Sequence, residues 1–312
     1  MTGHDPGCAS FKLSDAGSYD TVAAAFDRWT DRVTTGKADR LLALARLDGD
    51  ERVLDVGTGT GIVPRRAVAR YGARLAVLGI DLSEGMLRFA SSRAVAEGID
   101  AHTTFRRMDA EALDLADASF DVVVSLFALA HFPNPGVAVG EMYRVLRPGG
   151  RLVVGVGYRP AVRSLAGVIH GCRRLPDLFR RAVGRQLVAC EFLDTLTARH
   201  VPEAAEPELA GWFQHGRDVR RSVPRLLRDA GFTGVSVQTQ ADRTVLASPD
   251  EFWELQATFS TMARKRLGTA PAEVVDRVRT DFFEACRRVQ ARGGTLVYPS
   301  GALFTSGRRP GR

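Results

Sequence analysis

The stretch VLDVGTGTG at Val53–Gly61 constrains the fold of this chain more than any other feature. An apolar run, an acid and alternating glycines predict a tight turn where a strand ends and a helix begins. Glycine suits that turn because it accepts backbone angles closed to other residues and lets a ligand approach without meeting a Cβ. The dinucleotide fingerprint needs a glycine three residues after Gly59, but that position is Ile62, so the spacing disfavours a nicotinamide or flavin site.

After this loop, short apolar runs alternate with segments of helical periodicity. This alternation predicts an α/β fold with a doubly wound, mostly parallel sheet and helices on both faces. Ser83 is expected to cap the second of these helices, and Gly98 lies just beyond its end. The predicted elements are strands at RVLDVG, LAVLGID, Phe120–Leu126 and RLVVGVG, and helices at Pro64–Tyr71, Ser83–Glu97 and a segment ending at Leu146.

The same patterns divide the chain into four parts. Apolar residues at helical spacing in residues 19–46, such as Phe26 and Trp29, predict one or two helices before the first strand. We expect an N-terminal helical arm or lid at 1–48, a cofactor-binding core at 49–158, a helical cap insertion at 159–221, and the C-terminal part of the core at 222–312 with a helical insertion at 249–292.

Two acids follow the next predicted strands. Asp81 ends the second strand, where a carboxylate can accept hydrogen bonds from the two hydroxyls of a ribose. Asp109 follows the third strand, where an acid can accept from the amine of an adenine ring, with Leu82 and Met86 as apolar neighbours of that ring. Together with the glycine loop, these strand ends predict a site for one adenosyl ligand.

Composition limits the partners of the chain. The net charge of +7 and pI near 9.7 invite a nucleic-acid role, but Lys12, Lys37 and Lys265 are the only lysines, so the charge looks like a codon bias towards arginine. The four cysteines form no CxxC pair, which argues against a metal site. No apolar run is long enough to span a membrane, and the N-terminus has no signal pattern. We therefore expect a soluble cytoplasmic protein with a small-molecule substrate, no nucleic-acid partner and no membrane association, and a homodimer stays open.

Five segments in order and spacing resemble the class I S-adenosylmethionine-dependent methyltransferases, in the branch related to quinone-biosynthesis C-methyltransferases and bacterial natural-product methyltransferases. They are VLDVGTGTG, GIDLSEGML, RRMDAEAL, FDVVVSLFALAHFPNP and EMYRVLRPGGRLVV, which cover about 51–156. The resemblance implies S-adenosylmethionine as cofactor and a Rossmann-like sheet of seven strands. Its last two strands, GVSVQTQ and Leu296–Thr305, would form an antiparallel pair.

The resemblance also implies roles for individual residues. The glycine loop would face the methionine part of the cofactor, Asp81 the ribose, and the Asp109 segment the adenine. The expected cofactor-binding residues are Asp55, Gly57, Thr58, Gly59, Asp81, Leu82, Met86, Asp109, Ala110, Ser125 and Leu126.

The residues that meet the methyl acceptor are less defined. His131 follows the fourth strand and is the best candidate for a catalytic base, since an imidazole titrates near neutral pH, although a histidine beside FPNP can instead fix the turn. Tyr19, Phe26, Trp29 and Tyr298 are candidate substrate contacts, with helix packing as the alternative. His170, His200, His215 and Trp212 fall in the predicted insertion, as do the arginine pairs at 173–174, 180–181 and 220–221 that would suit an anionic acceptor.

Three functions fit these patterns. The first is O-methylation of a small secondary metabolite, and the second is C-methylation of a quinone or isoprenoid-type acceptor. The third is a cyclase or regulatory protein that binds the cofactor without methyl transfer. A nucleic-acid methyltransferase is disfavoured, because the loop AHFPNP has neither the (Asn/Asp)-Pro-Pro-aromatic motif nor the Pro-Cys nucleophile of those enzymes.

Overall fold

The computed structural model describes residues 6–72, 74–158, 180, 183–201 and 219–311. Helices and strands alternate through most of this range. The helices are α1 (Pro6–Asp20), α2 (Ala23–Val33), α3 (Thr35–Ala45), α4 (Ile62–Tyr71), α5 (Glu84–Ala96), α6 (Pro135–Val145), α7 (Ala189–His200), α8 (Val219–Asp229), α9 (Pro249–Phe259), α10 (Thr261–Thr269) and α11 (Ala272–Ala291). The strands are β1 (Arg52–Val56), β2 (Ala76–Asp81), β3 (Thr103–Arg107), β4 (Phe120–Leu126), β5 (Leu146–Gly157), β6 (Gln186–Val188), β7 (Thr233–Leu246) and β8 (Thr295–Arg308).

The chain forms two compact units. Unit 1 comprises Met1–Gly157, Pro207–Gln240 and Ala302–Arg312, and unit 2 comprises Tyr158–Glu206 and Ala241–Gly301. The predicted cap insertion at 159–221 lies largely outside the described residues, including His170, His215, Trp212 and the arginine pair 173–174.

The sheet of unit 1 has the strand order β3-β2-β1-β4-β5-β8, and β7 also pairs with β8. The pairs from β3 to β5 are parallel, whereas β8 runs antiparallel to β5, from Arg151 opposite Arg308 to Gly157 opposite Ala302. The expected doubly wound sheet with an antiparallel last strand is therefore confirmed. The register places Asp55 opposite Gly79 on one side and Val124 on the other, so the carboxyl ends of β1, β2 and β4 meet at one edge.

Burial explains why these segments form the centre of the sheet. β4 is mostly apolar, and its residues Val122, Val123 and Val124 are completely buried, as expected for a parallel strand covered by helices on both faces. One large cluster of apolar side chains fills one side of the sheet. It includes Leu41, Leu42, Val53, Val63, Ala67, Val122 and Phe304.

The N-terminal region contains one helix more than the sequence predicts. The expected periodicity in residues 19–46 corresponds to α2 and α3, but α1 precedes them and ends at Asp20. α1 lacks an apolar stripe. Leu13 is 58% exposed, and Asp15 is the one buried residue among those residues of α1 whose side chains are described. Its position in the fold depends on polar contacts, which the periodicity of apolar residues does not reveal.

Most other boundaries lie close to those predicted. α5 begins at Glu84, where the Ser83 hydroxyl accepts a hydrogen bond from the Met86 amide at 3.1 Å, so the expected cap is confirmed. The predicted strand GVSVQTQ is the first half of β7, which continues to Leu246.

Unit 2 is mainly helical. Phe282 of α11 is fully buried, and its ring contacts the rings of Phe192, Phe252 and Trp253 at centroid distances of 5.2–5.5 Å. The short strand β6 adds to the expected seven by pairing in parallel with the first residues of β8. The helices α9 to α11 occupy the segment predicted as a helical insertion at 249–292.

No helix in the described ranges combines the length and apolar character needed to cross a bilayer. Within those same ranges, the His, Cys, Asp and Glu side chains form no group of three that could hold a metal ion.

Candidate active site

The glycine loop lies at the carboxyl end of β1, and its backbone takes the shape that only glycine adopts easily. The φ angles of Gly57, Gly59 and Gly61 are +74°, +54° and +81°. The Gly57 and Thr58 amides both donate to the Ile80 carbonyl, at 2.8 and 2.9 Å, which ties the loop to β2. A Cβ on Gly57 would lie 2.1 Å from the Cβ of Ala128, so this glycine also permits close contact with the segment after β4.

Two carboxylates lie beside this loop. Asp81 accepts from the Gly59 amide at 2.9 Å through one oxygen and from the Ser83 amide at 3.0 Å through the other. Burial raises the pKa of Asp81, and these backbone donors oppose the rise. Asp55 is 1% exposed, and burial raises its pKa to about 7, with the charge of Asp81 adding to the rise and the Thr58 hydroxyl opposing it.

Several buried polar atoms around the loop fit a bound polar ligand. Within the described part of the chain, the Asp55 carboxylate and the hydroxyls of Thr58, Thr60 and Ser125 form no hydrogen bond of normal geometry, although Thr58 lies close enough to Asp55 to lower its pKa. Buried polar groups are nearly always satisfied in native proteins. The charged amino-acid end of an adenosylmethionine molecule would supply donors and acceptors for such atoms, so the residues present suit that cofactor.

The segment expected to meet the adenine is linked to α1. The Lys12 ammonium lies 2.8 Å from both Asp109 and Glu111. Burial lowers the pKa of Lys12, but its bonds to the two carboxylates outweigh this effect, so the pKa is raised. The other oxygen of Asp109 accepts from the Glu111 amide at 2.9 Å. Ala110, the next residue in the chain, is 5% exposed, and Met86 of α5 is 2% exposed.

His131 lies on a 3₁₀ turn, Leu129–His131, directly after β4. The chain enters this turn through Phe127, whose φ of +63° is rare for a bulky residue and is typical of strained functional segments. The His131 Nε2 lies 3.1 Å from the Tyr19 hydroxyl, and its Nδ1 lies 3.0 Å from the Asp15 carboxylate. The imidazole is therefore held at both ring nitrogens by side chains of α1.

A third contact joins α1 to the edge of the sheet. One oxygen of Asp20 accepts from the Ser83 hydroxyl at 2.6 Å and from the Gly85 amide at 2.7 Å. This carboxylate sits at the N-terminus of α5, where the helix dipole favours negative charge. Through Lys12, Asp15 and Asp20, α1 contacts the segments that follow β3, β4 and β2.

The predicted substrate residues occupy different places. The Tyr19 ring packs edge-on against both Phe26 and His131, at centroid distances of 6.0 and 5.4 Å. A Cβ on Gly59 would lie 3.7 Å from the Phe26 ring, which places Phe26 over the loop. Trp29 is 5% exposed and lies under the Arg32 guanidinium. Tyr298 belongs to unit 2, where its ring lies 6.2 Å from that of Phe259.

Ser125 and Leu126, expected near the cofactor amino group, are buried at the end of β4, and Leu82 is half-buried after β2. Sequence reasoning missed Lys12, Asp15 and Asp20. A signal for them exists: Lys12, Asp15 and Tyr19 recur at spacings of three and four residues, which puts them on one face of a helix. A polar face of this kind becomes meaningful only when its partners, about 100 residues away, are known.

Comparisons with known proteins agree with this geometry. The family described as "Methyltransferase domain" matches residues 54–154. Over 195 residues the chain is 36% identical to 27-O-demethylrifamycin SV methyltransferase of Amycolatopsis mediterranei (strain S699), covering 62% of this chain and 66% of that protein. It is also 36% identical over 142 residues to the ubiquinone/menaquinone biosynthesis C-methyltransferase UbiE of Rhizobium meliloti (strain 1021), covering 44% of this chain and 55% of the relative. The matches thus span about half to two thirds of these relatives' length.

Among solved structures, the [4+2]-cyclase SpnF has a similar fold. Its TM-score is 0.55 at 18% identity, with 96% of this chain and 97% of that chain covered. At this identity the likeness concerns the fold alone.

Proposed function

Because the chain belongs to the S-adenosylmethionine-dependent methyltransferases, we propose that it transfers the methyl group of that cofactor to a hydroxyl oxygen of a small secondary metabolite, with His131 as the base. The observation that carries the proposal is the placement of His131 after β4, between Tyr19 and Asp15 and beside the glycine loop. The segment Leu129–His131 begins one residue after Ala128, which touches that loop.

In this proposal, residues at the ends of four strands bind different parts of the cofactor. Asp81 holds the ribose, and Asp109 with Ala110 holds the adenine beside Leu82 and Met86. The remaining atoms, those of the amino-acid part, meet Asp55, Gly57, Thr58, Gly59, Ser125 and Leu126. When bound, the cofactor supplies an electrophilic methyl group.

The proton of the acceptor hydroxyl leaves through Tyr19. The Tyr19 oxygen accepts the proton from the acceptor while the Tyr19 hydroxyl proton moves to Nε2 of His131, 3.1 Å away. Tyrosine ends the step neutral, the imidazole becomes protonated, and the acceptor oxygen keeps the electron pair of its broken O–H bond, which is then available to attack the methyl group that the cofactor would supply. The ring of Phe26 beside Tyr19 helps exclude water from this path.

The relative named for 27-O-demethylrifamycin SV supports an oxygen acceptor and a bacterial secondary metabolite. C-methylation of a quinone-type acceptor is the second candidate, because UbiE is 36% identical over 44% of this chain. Ionising a phenol also activates its ring carbons, so the same base serves either acceptor atom. A cyclase without methyl transfer is the third reading, and the fold of SpnF is compatible with it.

The test uses S-adenosylmethionine with a ¹³C-labelled methyl group and a panel of phenols, hydroxylated polyketides and quinone precursors. Product NMR distinguishes a methyl on oxygen from one on carbon. We expect His131→Gln and Tyr19→Phe each to lower kcat by about 100-fold or more, the scale of general base catalysis, while S-adenosylhomocysteine binds normally. The double variant should lose little more than either single variant, because the two side chains act on one proton.

His102→Gln is the matched control, since His102 precedes β3 at the opposite edge of the sheet. It should keep full activity. A His131→Gln enzyme that turns over like the wild type would remove the base from the mechanism. Cofactor binding without methyl transfer to any acceptor would favour the cyclase or regulatory reading.

A further inference from the structure

The Asp15 carboxylate, which no sequence pattern singled out, lies behind His131 on the side away from Tyr19. Its Oδ2 is 3.0 Å from Nδ1 of the imidazole, and Asp15 is 5% exposed. Tyr19 follows it by four residues on α1, so one turn of one helix brings both side chains to the same ring. The two bonds together fix the plane and the rotation of the imidazole.

The hydrogen-bond partners of His131 also determine which of its ring nitrogens carries the proton. A carboxylate oxygen only accepts, so Nδ1 must carry the hydrogen that bridges to Asp15. A neutral imidazole with its proton on Nδ1 has its lone pair on Nε2, which then accepts from the Tyr19 hydroxyl. The opposite tautomer would place the Nδ1 lone pair against the carboxylate, with repulsion in place of a bond.

We propose that Asp15 is a positioning residue that holds neutral His131 in the Nδ1–H tautomer, so that the basic lone pair points from Nε2 to Tyr19. When Nε2 takes a proton, Asp15 keeps its bond to Nδ1–H and stabilises the imidazolium, as the buried acid of a Ser-His-Asp triad does. The catalytic consequence rests on the proposed methyl transfer, whereas the tautomer does not.

The arrangement of His131 with Asp15 and Tyr19 depends on the position of α1. Because both partners of His131 belong to α1, the base is assembled only while α1 lies on the sheet edge. The Lys12 bond to Asp109 and the Asp20 bonds to Ser83 and Gly85 hold the helix in that position. These contacts therefore support His131 without touching it.

The test reads the tautomer directly and needs no acceptor. The full-length protein is labelled with ¹⁵N in its histidine rings, and two-bond ¹H–¹⁵N correlation spectra are recorded under conditions where the neutral imidazole is observed. His131→Gln identifies the signal. We expect Nδ1 to be the protonated nitrogen in the wild type, and Asp15→Leu to shift at least half of the population to the Nε2–H form.

Asp15→Asn provides a second variant, since its amide oxygen still accepts from Nδ1–H and should preserve more of the native tautomer than leucine does. Asp114→Asn, at a carboxylate that is 94% exposed and lies outside α1, should leave the signal unchanged. An Nε2–H tautomer in the wild type would overturn the proposal. So would an unchanged tautomer in a folded Asp15→Leu protein, and the wild-type spectrum decides if that variant does not fold.

Once an acceptor is known, Asp15→Asn should lower kcat at least tenfold with little change in KM. If the tautomer responds to Asp15 but no acceptor is ever methylated, the proposed function fails and the positioning of His131 stands. If methyl transfer depends on His131 but the tautomer ignores Asp15, the proposed function stands and this inference fails.

Discussion

The ionisation of Asp55 depends strongly on the fold. In the unfolded chain its carboxyl titrates near the ordinary pKa of 3.8, whereas burial raises the pKa in the folded protein to about 7. Between these values the folded protein holds a proton that the unfolded chain has released. The stability that this group contributes is therefore full below about pH 4 and is lost as the pH rises through 7.

This decrease in stability with rising pH can be measured in the protein without cofactor. Between pH 5 and pH 8, the unfolding free energy of the wild type should fall by an amount on the order of 2 kcal/mol because of Asp55, and this fall should be absent in Asp55→Asn. Urea denaturation at several pH values measures the slope. Asp114→Asn, at a carboxylate that is 94% exposed, is the control and should keep the wild-type slope. Equal slopes in Asp55→Asn and the wild type would contradict the assignment.

At the scale of single residues, the sequence predicts those parts of the candidate site that carry local signals. Asp55 and Asp81 lie at the ends of β1 and β2. The loop glycines, Asp109 and His131 follow β1, β3 and β4, and parallel strands end at a common edge. Asp15 and Lys12 could not be found in this way. Their partners lie 116 and 97 residues away, and neither residue stands in a recognisable motif.

Helices α2 and α3 are joined to the Rossmann-like core by acid–arginine pairs. Asp27 lies 2.6 Å from Arg93, Asp31 lies 3.0 Å from Arg65, and Asp39 lies 2.8 Å from Arg66. In each pair the acid belongs to the N-terminal helices and the arginine to α4 or α5. The arginine-rich composition, which looks uninformative in the sequence, thus has a structural use in this part of the fold.

These pairs differ in burial, and a double-mutant cycle should show the difference. Asp27 is 5% exposed and accepts two bonds from Arg93, so the coupling energy of Asp27→Asn and Arg93→Met should be about 1–3 kcal/mol. The exposed pair Arg225–Asp229 within α8 should give no more than about 0.5 kcal/mol. Chemical denaturation measures both cycles, and equal couplings would contradict the role of burial.

Among the elements, the strands and helices of the core are predicted well, because alternation and periodicity are properties of neighbouring residues. α1 is not, since a helix without an apolar face gives no periodicity of apolar residues. Leu13 faces solvent, while Asp15 is buried and forms a hydrogen bond with His131. The place of such a helix in the fold depends on contacts with residues that are distant in the sequence.

At the scale of the whole molecule, the residues at the ends of the strands predict that adenosylmethionine-type ligands, and not dinucleotides, stabilise the fold. S-adenosylhomocysteine at 100 times its Kd should raise the free energy of unfolding by about 2.7 kcal/mol and increase the Tm accordingly. NADH at the same concentration should not, since the loop has Ile62 where a dinucleotide fold needs glycine. Thermal scans with each ligand measure the effect, and equal stabilisation by NADH would contradict the cofactor assignment.

The contact between Gly57 and Ala128 limits how such an enzyme can be re-engineered. A Cβ at position 57 would collide with the Ala128 side chain, so position 57 has no room for any side chain. A library that randomises the glycine loop will recover Gly at position 57, where the φ angle of +74° also favours glycine. Useful diversity in such a library has to come from positions farther from this contact.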